Sequence, residues 1–204
     1  MDRAGLINKV KIKMDEFTPD EGVSLPFDNY IGPTLDECAR ELLEKAPLFL
    51  ISPTAIPLTG MIYKDDKAYI PVPTDYVKLY EVRYPLWKKS VRRAISTQDP
   101  EYKIQENEYI KAGYGRPVVA IVNTSLTGGP AANYLECGKV IDTGSNTPVA
   151  LYVKTEKPED LNDIFADSLT WLCSAKIMTI LGYNDKAKLA YEQFTSSIEG
   201  AATT

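Results

Sequence analysis

The chain has 204 residues, of which 44% are hydrophobic and 25% are charged, and its formal net charge is −5. This composition is typical of a globular protein with one domain, or with one core that carries an inserted module. The net negative charge argues against a protein dedicated to nucleic-acid binding.

The residue types that are scarce or absent exclude several kinds of site. The chain has no histidine, which removes the commonest general base and the commonest transition-metal ligand. Its cysteines, Cys38, Cys137 and Cys173, are far apart, which favours free buried thiols in a reducing compartment over a disulfide framework or a zinc site. No apolar h-region follows Met1 and no apolar run reaches the roughly 18 residues of a membrane span, so we expect no signal peptide and no membrane contact.

Two short amphipathic helices are predicted in the N-terminal part. The first begins near Asp2, and its lysines at positions 9, 11 and 13 are interpreted as a solvated face, with phosphate binding as the less favoured alternative. An ordered surface loop is predicted over residues 18–33. A capping box over residues 34–37 then begins the second helix, which ends at Pro47. Neither helix can bury its apolar face alone, so we expect them to pack against another part of the chain.

The middle of the chain predicts a β-rich module. A four-residue loop at 64–67 is expected to join the first two strands as a hairpin. Short strands separated by turns favour an antiparallel meander or a small sandwich. The predicted strands are 58–63, 68–72, 76–83, 102–110, 118–122, 134–137 and 148–153.

One dense group of basic residues lies inside this module. Trp87 is followed by Lys88, Lys89, Arg92 and Arg93. Such a patch can contact an acidic surface of a partner or a sister subunit, which the negative net charge of the chain favours. It can also bind a phosphate backbone, so a nucleic-acid-binding module is the alternative function.

A C-terminal helical hairpin is the strongest helical signal. Its first helix is predicted to open at Pro158, to be apolar almost all round from 169 to 181, and to end at Gly182. A helix of this kind is buried on more than one side, either by its own domain or by a neighbouring subunit. Trp171 is expected in this packing rather than in a ligand pocket, and Ile180 is expected to face outward, toward a neighbour.

Acidic residues cluster at the start of the same helix. Asp160, Asp163 and Asp167 are predicted to share one face, where they can hold a hard cation such as magnesium. We favour the interpretation that they complement the helix dipole and solvate the surface. A carboxylate–metal enzyme is therefore the least favoured alternative, and we expect no catalytic residue, cofactor or bound metal.

The order of these pieces predicts an α+β fold. Residues 1–47 and 157–204 are expected to form a helical bundle, built from the N-terminal helices and the C-terminal hairpin. Residues 48–156 are expected to form an antiparallel β module inserted into that bundle.

This order resembles the head-to-tail connector adaptor proteins of tailed bacteriophages, the first ring below the portal. The likeness is closest to the adaptors of short-tailed and crAss-like phages. The segments that carry it are 6–10, 69–82, 116–122, 158–181 and 184–198. The 123–133 loop and the basic stretch at 87–93 have no counterpart in the pattern.

The resemblance implies a structural virion protein rather than an enzyme. Family members form a ring, usually of twelve subunits, that binds the portal protein, presents a surface to the next tail protein and lets DNA pass through its lumen. The chain is then expected at the portal vertex, after assembly in the host cytoplasm. The small residues at its C-terminal end are expected to form an extended segment that docks on the portal. These residues are Gly200, Ala201, Ala202, Thr203 and Thr204.

Overall fold

The computed structural model describes residues 1–17, 28–105, 107, 109–126, 128–140 and 147–203. Its helices and strands confirm the predicted α+β fold, with helices at both ends of the chain and strands in the middle. The chain divides into two compact units, which we call the helical unit (1–51 and 155–204) and the β unit (52–154).

The elements of both units are numbered along the chain. The helices are α1 (Arg3–Phe17), α2 (Asp28–Lys45), α3 (Pro100–Ile104), α4 (Ala166–Ile180) and α5 (Asn184–Thr203). The strands are β1 (Thr54–Ala55), β2 (Ile62–Lys64), β3 (Lys67–Pro71), β4 (Tyr76–Arg83), β5 (Ile95–Ser96), β6 (Val119–Thr124), β7 (Ala132–Gly138) and β8 (Val149–Lys154). None of the helices in the described residues is long and apolar enough to cross a membrane.

Helix α4 lies at the centre of the helical unit, where it contacts α1, α2 and α5. Leu169, Leu172 and Ile177 of α4 are at most 1% exposed. The hydroxyls of Thr170 and Ser174, which are buried on the same helix, donate hydrogen bonds to carbonyl oxygens one turn earlier in α4. Packing within one chain therefore accounts for most of the apolar surface of this helix, as the sequence predicts for a helix buried on more than one side.

Helix α2 begins earlier than the capping-box signal predicts. It starts at Asp28, so Thr34 lies inside the helix and is buried rather than capping it. Pro33 also lies inside α2, where it removes one main-chain hydrogen bond. Ile31 and Leu35 are both fully buried, and this packing keeps the turn helical despite the proline. Residues 18–27 of the predicted loop lie outside the described residues.

Helix α4 begins later than predicted and ends as predicted. Residues 158–160 form a turn, and α4 starts at Ala166, after a short 3-10 turn whose cap is the side chain of Asn162. The Asn162 side-chain oxygen accepts a hydrogen bond from the Ile164 amide at 3.0 Å. At the other end Gly182 has a φ of +86°. Its amide and that of Tyr183 bond back to carbonyls of α4, as in a Schellman motif.

Helix α5 extends to the end of the described chain. Gly200, Ala201, Ala202 and Thr203 form its last turn, so the prediction of an extended C-terminal segment is wrong. Alanine has the highest helix propensity, and a glycine in a helix costs only about 1 kcal/mol, which the longer helix tolerates. Thr204 lies outside the described residues.

The β unit contains two sheets that share a core. One sheet has the strand order β1-β8-β4 and the other the order β2-β3-β7-β6-β5. Among the strands of the described residues, β5 and β6 pair in parallel and the other pairs are antiparallel. Strand β4 has the predicted bounds. A single hydrophobic cluster takes residues from both sheets, which supports the sandwich rather than the meander. Its most buried members include Ala68, Ile70, Val82, Val119, Leu135 and Cys137.

Three local predictions in the β unit are wrong. Strand β2 begins at Ile62, so residues 58–61 of the predicted strand 58–63 are not in a strand. Lys64 pairs with Lys67, so the hairpin turn contains only Asp65 and Asp66, with φ of 53° and 58°. Aspartate tolerates this left-handed conformation better than most residues, and two such residues form the tight turn that suits twisted strands. The predicted strand over 102–110 contains the end of helix α3 instead. The Asp99 carboxylate caps that helix by accepting the Glu101 amide at 2.9 Å.

Candidate protein-binding surface

The basic segment predicted from the sequence is an exposed loop, which we call the basic loop (residues 88–93). Trp87 is not part of its surface, because the ring is only 3% exposed and lies 5.0 Å from the ring of Tyr84. The Trp87 indole N–H also donates to the Lys139 carbonyl at 3.2 Å. At the other end of the loop Val91 exchanges two backbone hydrogen bonds with Val82 of β4. The loop is thus held at both ends.

All four cations of the basic loop are exposed. Lys88 and Lys89 follow the buried tryptophan, and Arg92 follows Val91. Arg93 lies 3.7 Å from the Asp99 carboxylate, but the arginine side chain is 83% exposed, so this ion pair adds little stability. The structure therefore presents these charges to solvent, where they can contact an acidic partner.

A second set of cations lies beside the loop and was not found from the sequence. Lys111 and Arg116 line one cleft of about 430 Å³ together with Lys89. We call it the basic cleft. Arg116 ends a tight turn in which its amide donates to the Gly113 carbonyl at 3.0 Å. Sequence spacing gave no sign of this juxtaposition, because more than twenty residues separate Lys89 from Lys111. The one signal was the glycine-rich turn over residues 113–117.

A smaller pocket of about 150 Å³ in the β unit contains a buried carboxylate. Glu136 is 7% exposed, and Lys67 donates to it at 2.7 Å. The Tyr102 hydroxyl donates to the other carboxylate oxygen at 3.4 Å. Burial, followed by the negative charge of Glu136, raises the pKa of the Tyr69 phenol. Since Glu136 has both partners, the arrangement is that of a satisfied buried ion pair.

Trp171 packs within its own unit, against α1. The Lys13 ammonium lies 4.0 Å from the centroid of the Trp171 ring and also donates to the carboxylate of Asp167. The Lys13 side chain is only 12% exposed, so the prediction of a solvated Lys13 is wrong. The Lys13 ammonium has its partners in α4, the Trp171 ring and Asp167, which is why this lysine turns inward. An interface role for Trp171 between subunits stays a prediction.

The end of α4 presents apolar surface to solvent. Ile180, which the sequence places on the outward side, is 62% exposed. A groove of about 410 Å³ runs nearby between α2, α4 and α5, and Leu172 lies among its lining residues. Glu41 and Lys176, which also line the groove, form an ion pair at 2.7 Å. Burial alone would raise the pKa of Glu41, but hydrogen bonds from Lys176 and Lys45 lower it.

The acidic cluster predicted on one helical face is dispersed in the structure. Asp160 and Asp163 precede α4, so neither lies on its face with Asp167. Asp163 instead lies 3.4 Å from the N-terminal amine, and Asp167 pairs with Lys13. Within the part of the chain that the structure describes, no group of three or more potential metal-ligating side chains occurs. The alternative of a magnesium site depended on these aspartates sharing one helical face, and the structure does not have that arrangement.

The cysteines are free and buried, as the sequence predicts. The Cys173 thiol of α4 donates a weak hydrogen bond to the Ile31 carbonyl at 4.0 Å, and it lies close to the Cys38 thiol of α2. That contact and burial raise the pKa of Cys173, so this thiol stays protonated at neutral pH.

No protein-family model matches the chain, and a search of curated proteins found no significant match. The likeness to phage connector adaptors therefore rests on the segments named above.

Proposed function

We propose that this protein is a structural subunit of the head-to-tail connector of a tailed phage. In this role it forms an oligomeric ring that joins the capsid portal to the tail and lets DNA pass through its lumen. The observation that carries the proposal is the order of the fold. Both ends of the chain build one helical unit, α1 and α2 with α4 and α5, and the β unit is inserted between them.

The surfaces of the two units support an assembly role. Ile180 presents an isolated large apolar side chain at the end of α4, and Phe49 is 68% exposed in the same unit. The basic loop adds four exposed cations in the β unit. Head-to-tail ring contacts use two different faces of each subunit, and exposed apolar and charged groups on separate units suit such contacts.

The test is the mass of the particle that the chain forms, alone and with the portal protein of the same phage. Twelve copies of a 22.7 kDa chain, the number that the family resemblance implies, have a mass of about 270 kDa. Mass photometry should show the portal particle gaining a mass of this order when the chain is added. A chain that stays monomeric with portal, together with virions that lack a ring of this chain, would overturn the proposal.

A matched pair of variants separates assembly from folding. Ile180→Ser should weaken ring formation while leaving the thermal unfolding midpoint nearly unchanged, because the side chain is mostly exposed. Thr179→Ser, at the neighbouring exposed position, is the control and should assemble like the wild type.

Binding of nucleic acid is the second candidate, and the exposure of Lys88, Lys89, Arg92 and Arg93 favours it. A duplex of random sequence should then bind with a steep salt dependence, and reversing two of these charges should reduce the slope. If the reversals abolish DNA binding and leave assembly unchanged, the second candidate replaces the first.

A further inference from the structure

The basic cleft of the β unit combines positive charge with exposed apolar side chains. Lys89, Lys111 and Arg116 supply three positive charges, and Glu101 supplies the one carboxylate among the described lining residues. Glu106 and Glu108 lie outside the described residues. In the described part of the chain, no ion pair involves any of the three cations. Among the described lining residues the three cations outnumber the one carboxylate, which favours a negatively charged ligand.

The apolar part of the cleft indicates which kind of anion fits. Ile104 and Ile110 both line it, with exposed fractions of 41% and 59%. Covering an exposed isoleucine with another apolar group removes apolar surface from water, which is favourable. A phosphate backbone offers no such group at its charged edge, whereas a peptide carries acidic and apolar side chains side by side.

The walls of the cleft are held in place without a ligand. The Gln105 side chain accepts the Ala112 amide at 2.6 Å and donates to the Glu101 carbonyl at 3.1 Å. The first bond joins the end of α3 to the residue before the turn that carries Arg116, and the second holds the Gln105 side chain against α3. The Lys88 amide donates to the Tyr114 carbonyl at 2.8 Å, which joins the basic loop to the same turn. A site built in advance loses less entropy when a ligand binds.

We propose that the basic cleft binds an acidic peptide segment of a partner protein, one that carries an apolar side chain between its carboxylates. The carboxylates contact Lys89, Lys111 and Arg116, and the apolar side chain covers Ile104 and Ile110. This inference does not require the connector role. A chain that binds the peptide but never forms a ring removes the proposed function and leaves the cleft assignment standing.

The probe is a capped hexapeptide of four glutamates, one phenylalanine and one leucine. Its control has glutamine in place of every glutamate. NMR titration of the labelled 22.7 kDa chain should show saturable shifts at the amides of Lys111 and Gly115 with the acidic peptide and none with the neutral one. No saturable shift with the acidic peptide, or equal shifts with both peptides, would overturn the proposal.

Variants then test the two parts of the cleft. Lys111→Glu with Arg116→Glu should weaken binding about tenfold or more, because two attractions become repulsions. Lys64→Glu with Lys154→Glu makes the same charge change at exposed positions outside the cleft and should retain binding. Ile110→Ser should weaken binding severalfold. Circular dichroism melting checks that all variants are folded, which their exposed positions favour.

A competition experiment with duplex DNA distinguishes a peptide partner from a nucleic-acid partner. The acidic peptide should bind in preference to a 20-base-pair duplex at physiological salt. A duplex that outcompetes the peptide, and that loses affinity with the same two charge reversals, assigns the cleft to phosphate groups and overturns the peptide proposal. Unchanged peptide binding by the doubly reversed variant overturns it as well.

Discussion

The two units of this protein use their charged residues in different ways. In the helical unit, charges from distant parts of the chain pair with one another. Arg3 donates to both Asp36 oxygens at 2.9 Å and to Glu159 at 3.1 Å, and Lys13 pairs with Asp167. In the β unit Lys67 pairs with Glu136, and Lys139 with Asp66, in the same way, but the cations of the basic loop and basic cleft face solvent.

This difference separates charges that hold the fold from charges that remain for a partner. Arg3 links α1 to α2 and to the segment before α4, so it connects the two ends of the chain. Its carboxylate partners raise the pKa of the Arg3 guanidinium further above its already high value. Lys111 and Arg116 connect no such elements. Net charge alone, at −5, hides this division because it sums over both units.

The largest expected effect is on the core of the helical unit. Leu172→Ala removes a side chain that is 1% exposed in α4, and it should lower the free energy of unfolding by about 3–5 kcal/mol. Ile180→Ala on the same helix should change it by about 0.5 kcal/mol or less. Urea denaturation measures both. Equal losses would mean that α4 is not centred as described.

A smaller effect is expected where the basic loop joins the β unit. Trp87→Phe keeps an aromatic ring but removes the hydrogen bond to the Lys139 carbonyl, at a cost of about 1–2 kcal/mol. Fluorescence of the remaining Trp171 does not report on this unit, so unfolding should be followed by NMR signals of β4 and β7. A variant as stable as the wild type would show that the indole does not hold the loop.

The smallest effect is a pH dependence at Glu41. Its pKa is lowered below 4.5 by Lys176 and Lys45, so its contribution to stability is present above pH 4.5 and is lost as pH falls through the folded-state pKa. Glu41→Gln should remove this loss of stability at low pH, which amounts to less than about 1 kcal/mol in the free energy of unfolding. Unfolding curves at pH 6 and pH 3.5 compare the two proteins. An unchanged pH dependence in the variant contradicts the ion-pair account.

Sequence patterns predicted the elements that depend on local signals. The period of strand β4 and the glycine stop at Gly182 are both local, and the structure has them as predicted. Helix starts were less predictable. The capping-box signal predicted that α2 starts at Thr34, but the helix starts earlier because Ile31, about one turn before Thr34, is buried. The sequence contains the Asp99–Pro100 cap of α3, but the strand-like residues that follow it led to the prediction of a strand.

The candidate site was predictable only in part. The basic loop is one contiguous run, so composition revealed it. The basic cleft depends on a turn that carries Arg116 to the side of Lys89, and on a Gln105 side chain that fixes this turn. Contacts of this kind depend on tertiary packing, which no local periodicity encodes.

The claim that the two units use charge differently has one direct test. Arg3→Ala and Arg116→Ala each remove one guanidinium, the first from the helical unit and the second from the basic cleft. For each variant, urea unfolding gives the stability and the NMR titration gives the affinity for the acidic hexapeptide. Arg3→Ala should lose about 1–3 kcal/mol of stability and bind the peptide like the wild type. Arg116→Ala should keep its stability within about 0.5 kcal/mol and bind more weakly. An Arg116→Ala protein destabilised as much as Arg3→Ala, with its peptide affinity unchanged, would contradict the account.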